Sequence, residues 1–171
     1  MNAAQSSAVA KFRALHESGC FVLPNPWDVG TAVYCIISGL RRSPPPRRAS
    51  PSSCGKSDGR VLLDDMLSHI GEMVAATPLP VNADFLNGFA DEPENVAGNV
   101  ERCIATGVAG LSIEDNTGRG DVPLYEKGLA VERIRAARRA IDASGVPERT
   151  RDCSIHLDIA FSPAERMILS R

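Results

Sequence analysis

Hydrophobic positions recur along the chain in two rhythms, a helical period of three to four residues and short runs that are apolar throughout. From Ala4 to Ser18 the positions Ala8, Val9, Phe12 and Leu15 share one helical face, and Gly19 follows where a helix end needs a residue tolerant of positive φ. Cys20-Phe21-Val22-Leu23, stopped by Pro24 and Pro26, predicts a buried strand leading into a loop, with a further helix from about Gly30. Leu62, Met66, Ile70 and Met73 line a second helical face, which Pro78-Leu79-Pro80 breaks before the strand Val81-Asn82-Ala83-Asp84. Asp91 and Glu94 around Pro93 predict a capping box, and Val96, Val100 and Ile104 carry the next helix to Gly107. The unit then repeats: Val108 to Ile113 is an apolar strand ending in Glu114-Asp115, and Val131, Ile134, Ala137 and Ile141 predict a helix ending at Gly145.

Strands that are apolar throughout, each followed by a helix, predict a parallel sheet covered by helices, either a barrel or a doubly wound sheet. No G-x-G-x-x-G or G-x-x-x-x-G-K-[ST] follows a strand, so a nucleotide-binding doubly wound sheet lacks its usual signature. At 171 residues the chain is one domain of ordinary size, short of the roughly 250 that a complete (β/α)8 barrel typically needs.

A net charge of -2 with 43% hydrophobic residues argues for an ordinary soluble domain, neither polycation nor acidic tail. No apolar run reaches the roughly 18 residues of a membrane span, and the start has no basic-then-apolar signal pattern, so a cytoplasmic protein without membrane contact is expected. The five cysteines are scattered and form no C-x-x-C pair, which predicts free, mostly buried thiols. His16, His69 and His156 fall in no zinc or triad motif. The arginines 41, 42, 47 and 48 flank Pro44-Pro45-Pro46 without aromatic residues or any helical or strand period, so no nucleic-acid partner is expected.

In a barrel the chemistry gathers at the C-terminal ends of the strands. Asp84 and Glu114 hold that kind of position, thirty residues apart, the length of one strand, helix and connection. Converging carboxylates repel unless they share a cation or a proton, and hard oxygen donors suit Mg2+ better than zinc. Capping of the following loops or helices is the competing explanation for the same residues.

The stretches Phe12 to His16 with Leu23 to Asp28, then Gly55 to Arg60, Pro80-Val81-Asn82-Ala83-Asp84-Phe85, Gly88-Phe89-Ala90 and Gly107 to Asp115 resemble the isocitrate lyase and phosphoenolpyruvate mutase superfamily over about residues 8–147. The resemblance implies an α/β fold, an incomplete (β/α)8 TIM barrel of roughly the first five βα units, binding Mg2+ and a small 2-oxo or enol carboxylate at its mouth. It implies lyase or mutase chemistry on carbon-carbon or carbon-phosphorus bonds, with the metal stabilising enolate-like charge. By motif, Asp84 matches the central metal carboxylate, and Asp58 and Glu114 match acids that hold the metal largely through water. Asn82 stands where several members carry a further Asp. Asn82 and Trp27 are suggested as substrate contacts, and no catalytic residue is assigned. The loop from Asn116 to Tyr125 has no cysteine, where isocitrate-type lyases carry K-K-C-G-H, which points to smaller substrates such as oxaloacetate or phosphonates.

Between Ala32 and Gly55 the resemblance calls for a helix, the second barrel strand and a Thr-Ser-Gly substrate loop, yet residues 41–54 are rich in Arg, Pro and Ser. Reading the codons of Arg42 to Ser52 one base upstream can give A-L-A-T-T-S-A-G-F-A-F, so compensating frameshifts are expected; resequencing the coding DNA checks this. Residues 148–171 diverge as a tail, without the expected strand and its carboxylate-binding Arg. The chain therefore reads as a truncated member, residues 1–147 being the N-terminal part of the barrel. Open sheet edges predict marginal stability and self-association or aggregation, where the superfamily is usually homo-oligomeric, and catalysis by the isolated chain is not expected. The alternative is a non-catalytic α/β scaffold that engages a partner through the Arg/Pro segment.

Overall fold

The computed structural model describes residues 2–37, 47–49 and 61–145, so Asp58, His156, Cys54, Cys153 and the tail at 148–171 lie outside the described residues. The fold is mixed α/β, in the order α1 (Ala3–His16), α2 (Val29–Ile37), β1 (Arg47–Ala49), α3 (Leu63–Ala75), β2 (Val81–Asp84), α4 (Pro93–Ala105), β3 (Gly110–Ser112) and α5 (Lys127–Ala143). Helix α1 starts at Asn2, whose Oδ1 accepts the Gln5 amide at 2.8 Å, satisfying a donor that has no partner within the helix. Glu126 does the same for α5, accepting from the Gly128 and Leu129 amides, and these bonds hold its carboxyl below the ordinary range.

The three strands form a parallel sheet in the order β1-β2-β3. Met66, Ile70 and Met73 of α3, Val96 and Val100 of α4, and Ala137 of α5 are fully buried against Val81 and Ala83 of β2 and Leu111 of β3. Helix α1 is tied in by Gln5, whose Nε2 donates to the carbonyls of Ile104 (2.8 Å) and Val108 (3.2 Å).

Four expectations need correction. Residues 20–27 are irregular, not a strand, and Val22 is 64% exposed. A strand exists only where a neighbour offers its backbone, and here Phe21 instead meets His16 edge-on at 4.7 Å, with His16 meeting Phe12 at 4.6 Å. Conversely, Arg47–Ala49, read as having no strand period, forms β1, with Arg47 opposite Val81, Arg48 opposite Asn82 and Ala49 opposite Ala83. Pairing is a backbone interaction, and the otherwise open edge of β2 can accept a segment whatever its side-chain pattern. Leu62 precedes α3 and is 67% exposed, and Val131 also faces outward, so neither belongs to the buried face. Finally, Glu92 is the N-cap of α4 and makes no side-chain cap, with Pro93 in the first turn, because Asp91 is engaged elsewhere.

Among the described cysteines Cys20 is exposed, Cys35 partly covered and Cys103 buried, all three as free thiols, so of these three only Cys103 meets the expectation of burial. Burial pushes the Cys103 thiol up to about 12. Iodoacetamide at pH 8 is therefore expected to alkylate Cys20 in the native protein and Cys103 only after unfolding, as read by peptide mass spectrometry.

Candidate active site

The parallel register sets Asp84 opposite Ser112, so β2 and β3 end side by side. Two hydrogen bonds stitch their exits: the Phe85 amide donates to Ser112 O at 3.0 Å and the Glu114 amide to Leu86 O at 2.7 Å. Asp84 and Glu114 consequently line one cavity of about 820 Å3, together with Asn87, Asp91, Asn116 and Arg119 among others. Arg119 is its one basic group among the described residues.

The loop after β2, residues 85–91, turns through left-handed backbone at Leu86 (φ 46°), Gly88 (φ 76°) and Phe89 (φ 58°). Two side-chain-bearing residues in that region are costly unless their surroundings hold them there. The hold is dense. Asn87 Oδ1 accepts the Phe89 amide (3.0 Å), the Gly88 amide donates to Phe85 O (2.8 Å), and Asn99 Nδ2 donates to Gly88 O (2.9 Å). Arg133 reaches over from α5 and donates to the carbonyls of Asn87, Ala90 and Asp91.

The loop after β3 closes on itself: the Thr117 amide donates to Pro123 O (2.9 Å) and the Tyr125 amide to Asp115 O (3.0 Å). Tyr125 Oη donates to Asp91 Oδ1 (2.5 Å) and accepts from Asn87 Nδ2 (3.1 Å), while Arg119 Nη1 donates to Asp91 Oδ2 (3.0 Å). The bond from Tyr125, and then Arg119, hold the Asp91 carboxyl below its ordinary 3.8. Desolvation, and then donation to Asp91, push Tyr125 above its ordinary 10. A lowered carboxyl pKa contributes stability above the unfolded value and loses it as pH falls through the native value. The stability gap between wild type and Asp91→Asn is thus expected to be constant above about pH 5 and to close as acid protonates Asp91. Chemical unfolding against pH measures it, and a gap that persists in acid would assign the loss to shape instead of charge.

The proposed substrate contacts are not gathered with the carboxylates. Asn82, 1% exposed, lines a separate cavity of about 280 Å3 with Phe12, His16, Phe21 and Leu23, and its Oδ1 has no hydrogen-bond partner among the described residues. Trp27 is 59% exposed and lines neither cavity. Asp58 lies outside the described residues. Neither Arg133 nor Tyr125 stands out by motif, and Asp91 reads as a cap. The signal for Arg133 was its spacing from Ala136, Ala137, Ala140 and Ile141, which puts it on the buried face of α5.

Among the described residues no three His, Cys, Asp or Glu side chains group as a metal site. Asp84 and Glu114, two of the three carboxylates that line the cavity, nonetheless fit Mg2+, which proteins commonly hold through one or two carboxylates while water and substrate supply the other oxygens. Among the described residues no helix is long and apolar enough to cross a membrane.

A sequence profile described as phosphoenolpyruvate phosphomutase matches residues 12–149. A crystal structure of a Burkholderia cenocepacia J2315 protein with a provisional lyase/mutase designation is 41% identical, with a TM-score of 0.77 over 84% of this chain and 52% of its own. The crystal structure of 2,3-dimethylmalate lyase, described as a PEP mutase/isocitrate lyase superfamily member, is 26% identical, with a TM-score of 0.69 over 85% of this chain and 50% of its own. The 2-methylisocitrate lyase of Escherichia coli K12 is 37% identical over 92 residues, 50% of this chain and 30% of that enzyme. The chain spans about half the length of the first curated relatives it matches.

Proposed function

The chain belongs to the phosphoenolpyruvate phosphomutase family, and from that premise we propose that it carries the metal-binding side of the mouth of a (β/α)8 barrel, built from its first βα units. The activity we propose for that barrel is Mg2+-dependent lyase or mutase chemistry on a small 2-oxo or enol carboxylate, with turnover by this chain alone impaired. The observation that carries this reading is the shared cavity of Asp84 and Glu114 at adjacent parallel strand ends. Asp84 would hold Mg2+ directly, with Glu114 and Asp58 acting largely through water. When bound, the ion would supply a positive charge against the developing enolate oxygen.

The chain's own residues supply the rest. Arg119 at the cavity wall can take a substrate carboxylate through a planar, two-pronged contact, for which it would leave Asp91. The strained loop 85–91 keeps the backbone beside Asp84 from relaxing away from the cavity. No cysteine lies between Glu114 and Lys127, which favours substrates that need no thiol acid there, such as oxaloacetate or a phosphonate. The alternative is a non-catalytic α/β scaffold that engages a partner through the Arg/Pro segment, of which Arg47–Ala49 is strand β1.

The test is hydrogen exchange with and without Mg2+, followed by turnover assays on oxaloacetate and phosphonopyruvate. Protection at residues 84–91 and 112–119 that needs the cation is the expected result. Exchange indifferent to Mg2+ would overturn the metal reading and leave the scaffold alternative.

A further inference from the structure

Arg133 sits in the middle of α5 and is 1% exposed. A guanidinium so covered is costly unless its donors are satisfied, and a well-packed apolar side chain would often serve stability as well or better. Its partners explain why the charge is there. Nη1 donates to the carbonyls of Ala90 and Asp91 (2.7 Å to the latter) and Nη2 to that of Asn87. All three acceptors belong to the one loop that joins Asp84 to α4, the loop with left-handed backbone at Leu86 and Phe89. A planar fork with donors in fixed directions can meet three carbonyls of a tight turn, whereas an ammonium lacks that shape.

The same guanidinium lies 3.8 Å over the Tyr125 ring. Tyr125 is bonded to Asp91 and Asn87 through its hydroxyl and to Asp115 O through its amide, so it belongs to both loops. Arg133 therefore touches the two connections that follow Asp84 and Glu114, while lying outside the cavity lining itself.

We propose that Arg133 is a positioning residue that clamps loop 85–91 against Tyr125 and so sets how Asp84 and Glu114 face each other across the cavity. The clamp stands on the geometry; its consequence for a cation rests on the function proposed above.

The test compares Arg133→Met, Arg133→Lys and Tyr125→Phe in the full chain by amide exchange, Mn2+ titration followed by electron paramagnetic resonance, and thermal unfolding. Arg133→Met is expected to speed exchange at residues 86–91 and 115–126 at least about 10-fold, to weaken Mn2+ about 10-fold, and to leave α3 protected as in wild type. Arg133→Lys should show an intermediate effect. Tyr125→Phe should loosen the second loop more than the first. Exchange that rises uniformly, in step with the melting temperature, would make Arg133 merely structural and overturn the proposal, as would unchanged exchange in both loops. If Arg133→Met fails to fold, Arg133→Lys and Tyr125→Phe decide: loosening confined to the two loops supports the clamp, and wild-type exchange there overturns it. Wild-type protein that binds no Mn2+ would sink the proposed function, while the exchange data would still decide the clamp.

Discussion

Replacing Asp84 by alanine is expected to weaken Mg2+ or Mn2+ binding about 100-fold or more, and any turnover with it. Partners that only orient a metal ligand typically cost 10- to 100-fold in affinity when removed, so a direct carboxylate ligand should cost at least about the upper end of that range. Glu114→Gln keeps the side chain's shape and removes its charge, which we propose acts through water, so about 10-fold is expected there. Glu101→Gln, an exposed change on α4, is the control and should leave the affinity as it was. Calorimetric titration of the three variants reads the order directly. An Asp84→Ala protein that binds as tightly as the control would remove Asp84 from the metal site, and with it the main support for the proposed chemistry. Fold integrity is checked separately, because Asp84 ends β2 and adjoins fully buried Phe85.

The second large effect concerns stability and lies away from the carboxylates. Gly110 opens β3, and a Cβ built there would stand 2.4 Å from Phe12 Cε1 and 2.7 Å from Asn82 Oδ1. Both neighbours border the cavity of about 280 Å3, but Phe12 is buried and could turn into it only by giving up its edge-on contact with His16, while Asn82 is buried within β2. Gly110→Val is therefore expected to cost about 3 kcal/mol, the upper part of the usual range for forcing extra atoms into a packed site. Equilibrium unfolding in urea measures it. The cause is checked by Phe12→Ala in the same background, which removes the ring that the valine would strike. The two changes should then cost clearly less together than their sum, the mark of residues in contact. Strict additivity would mean that the strain lies elsewhere and that α1 does not seat on the sheet through Phe12.

Much of the architecture was legible because it is encoded locally. The face of α3 reads off as Met66, Ile70 and Met73, and those three side chains are fully buried. The strand Val81–Asp84 is legible because Pro80 stops one element and four residues complete the next. Gly19, Gly107 and Gly145 were expected after helix ends, and all three adopt positive φ, where a Cβ would be strained. The parallel arrangement followed from strands without polar alternation, each separated from the next by a helix. Asp84 and Glu114 were expected on one rim for the same reason, and they line one cavity.

What could not be read locally depended on groups brought from far along the chain. Cys20 to Leu23 has the composition of a strand, yet the described residues place it outside the sheet, whereas Arg47–Ala49 has no such composition and is a strand because β2 lies beside it. Asp91 reads as a cap because Pro93 and Glu94 follow it, but Tyr125, 34 residues on, holds its carboxylate. By itself the sequence determined the helical faces, the turns at glycine, the β2 strand and the carboxylates that end the strands, since each depends on neighbours within a few residues. Only the tertiary structure decided which backbone edges pair and that a buried arginine on α5 grips a loop 42 to 46 residues away, because hydrogen-bond acceptors for a buried charge exist only once the chain has folded back upon itself.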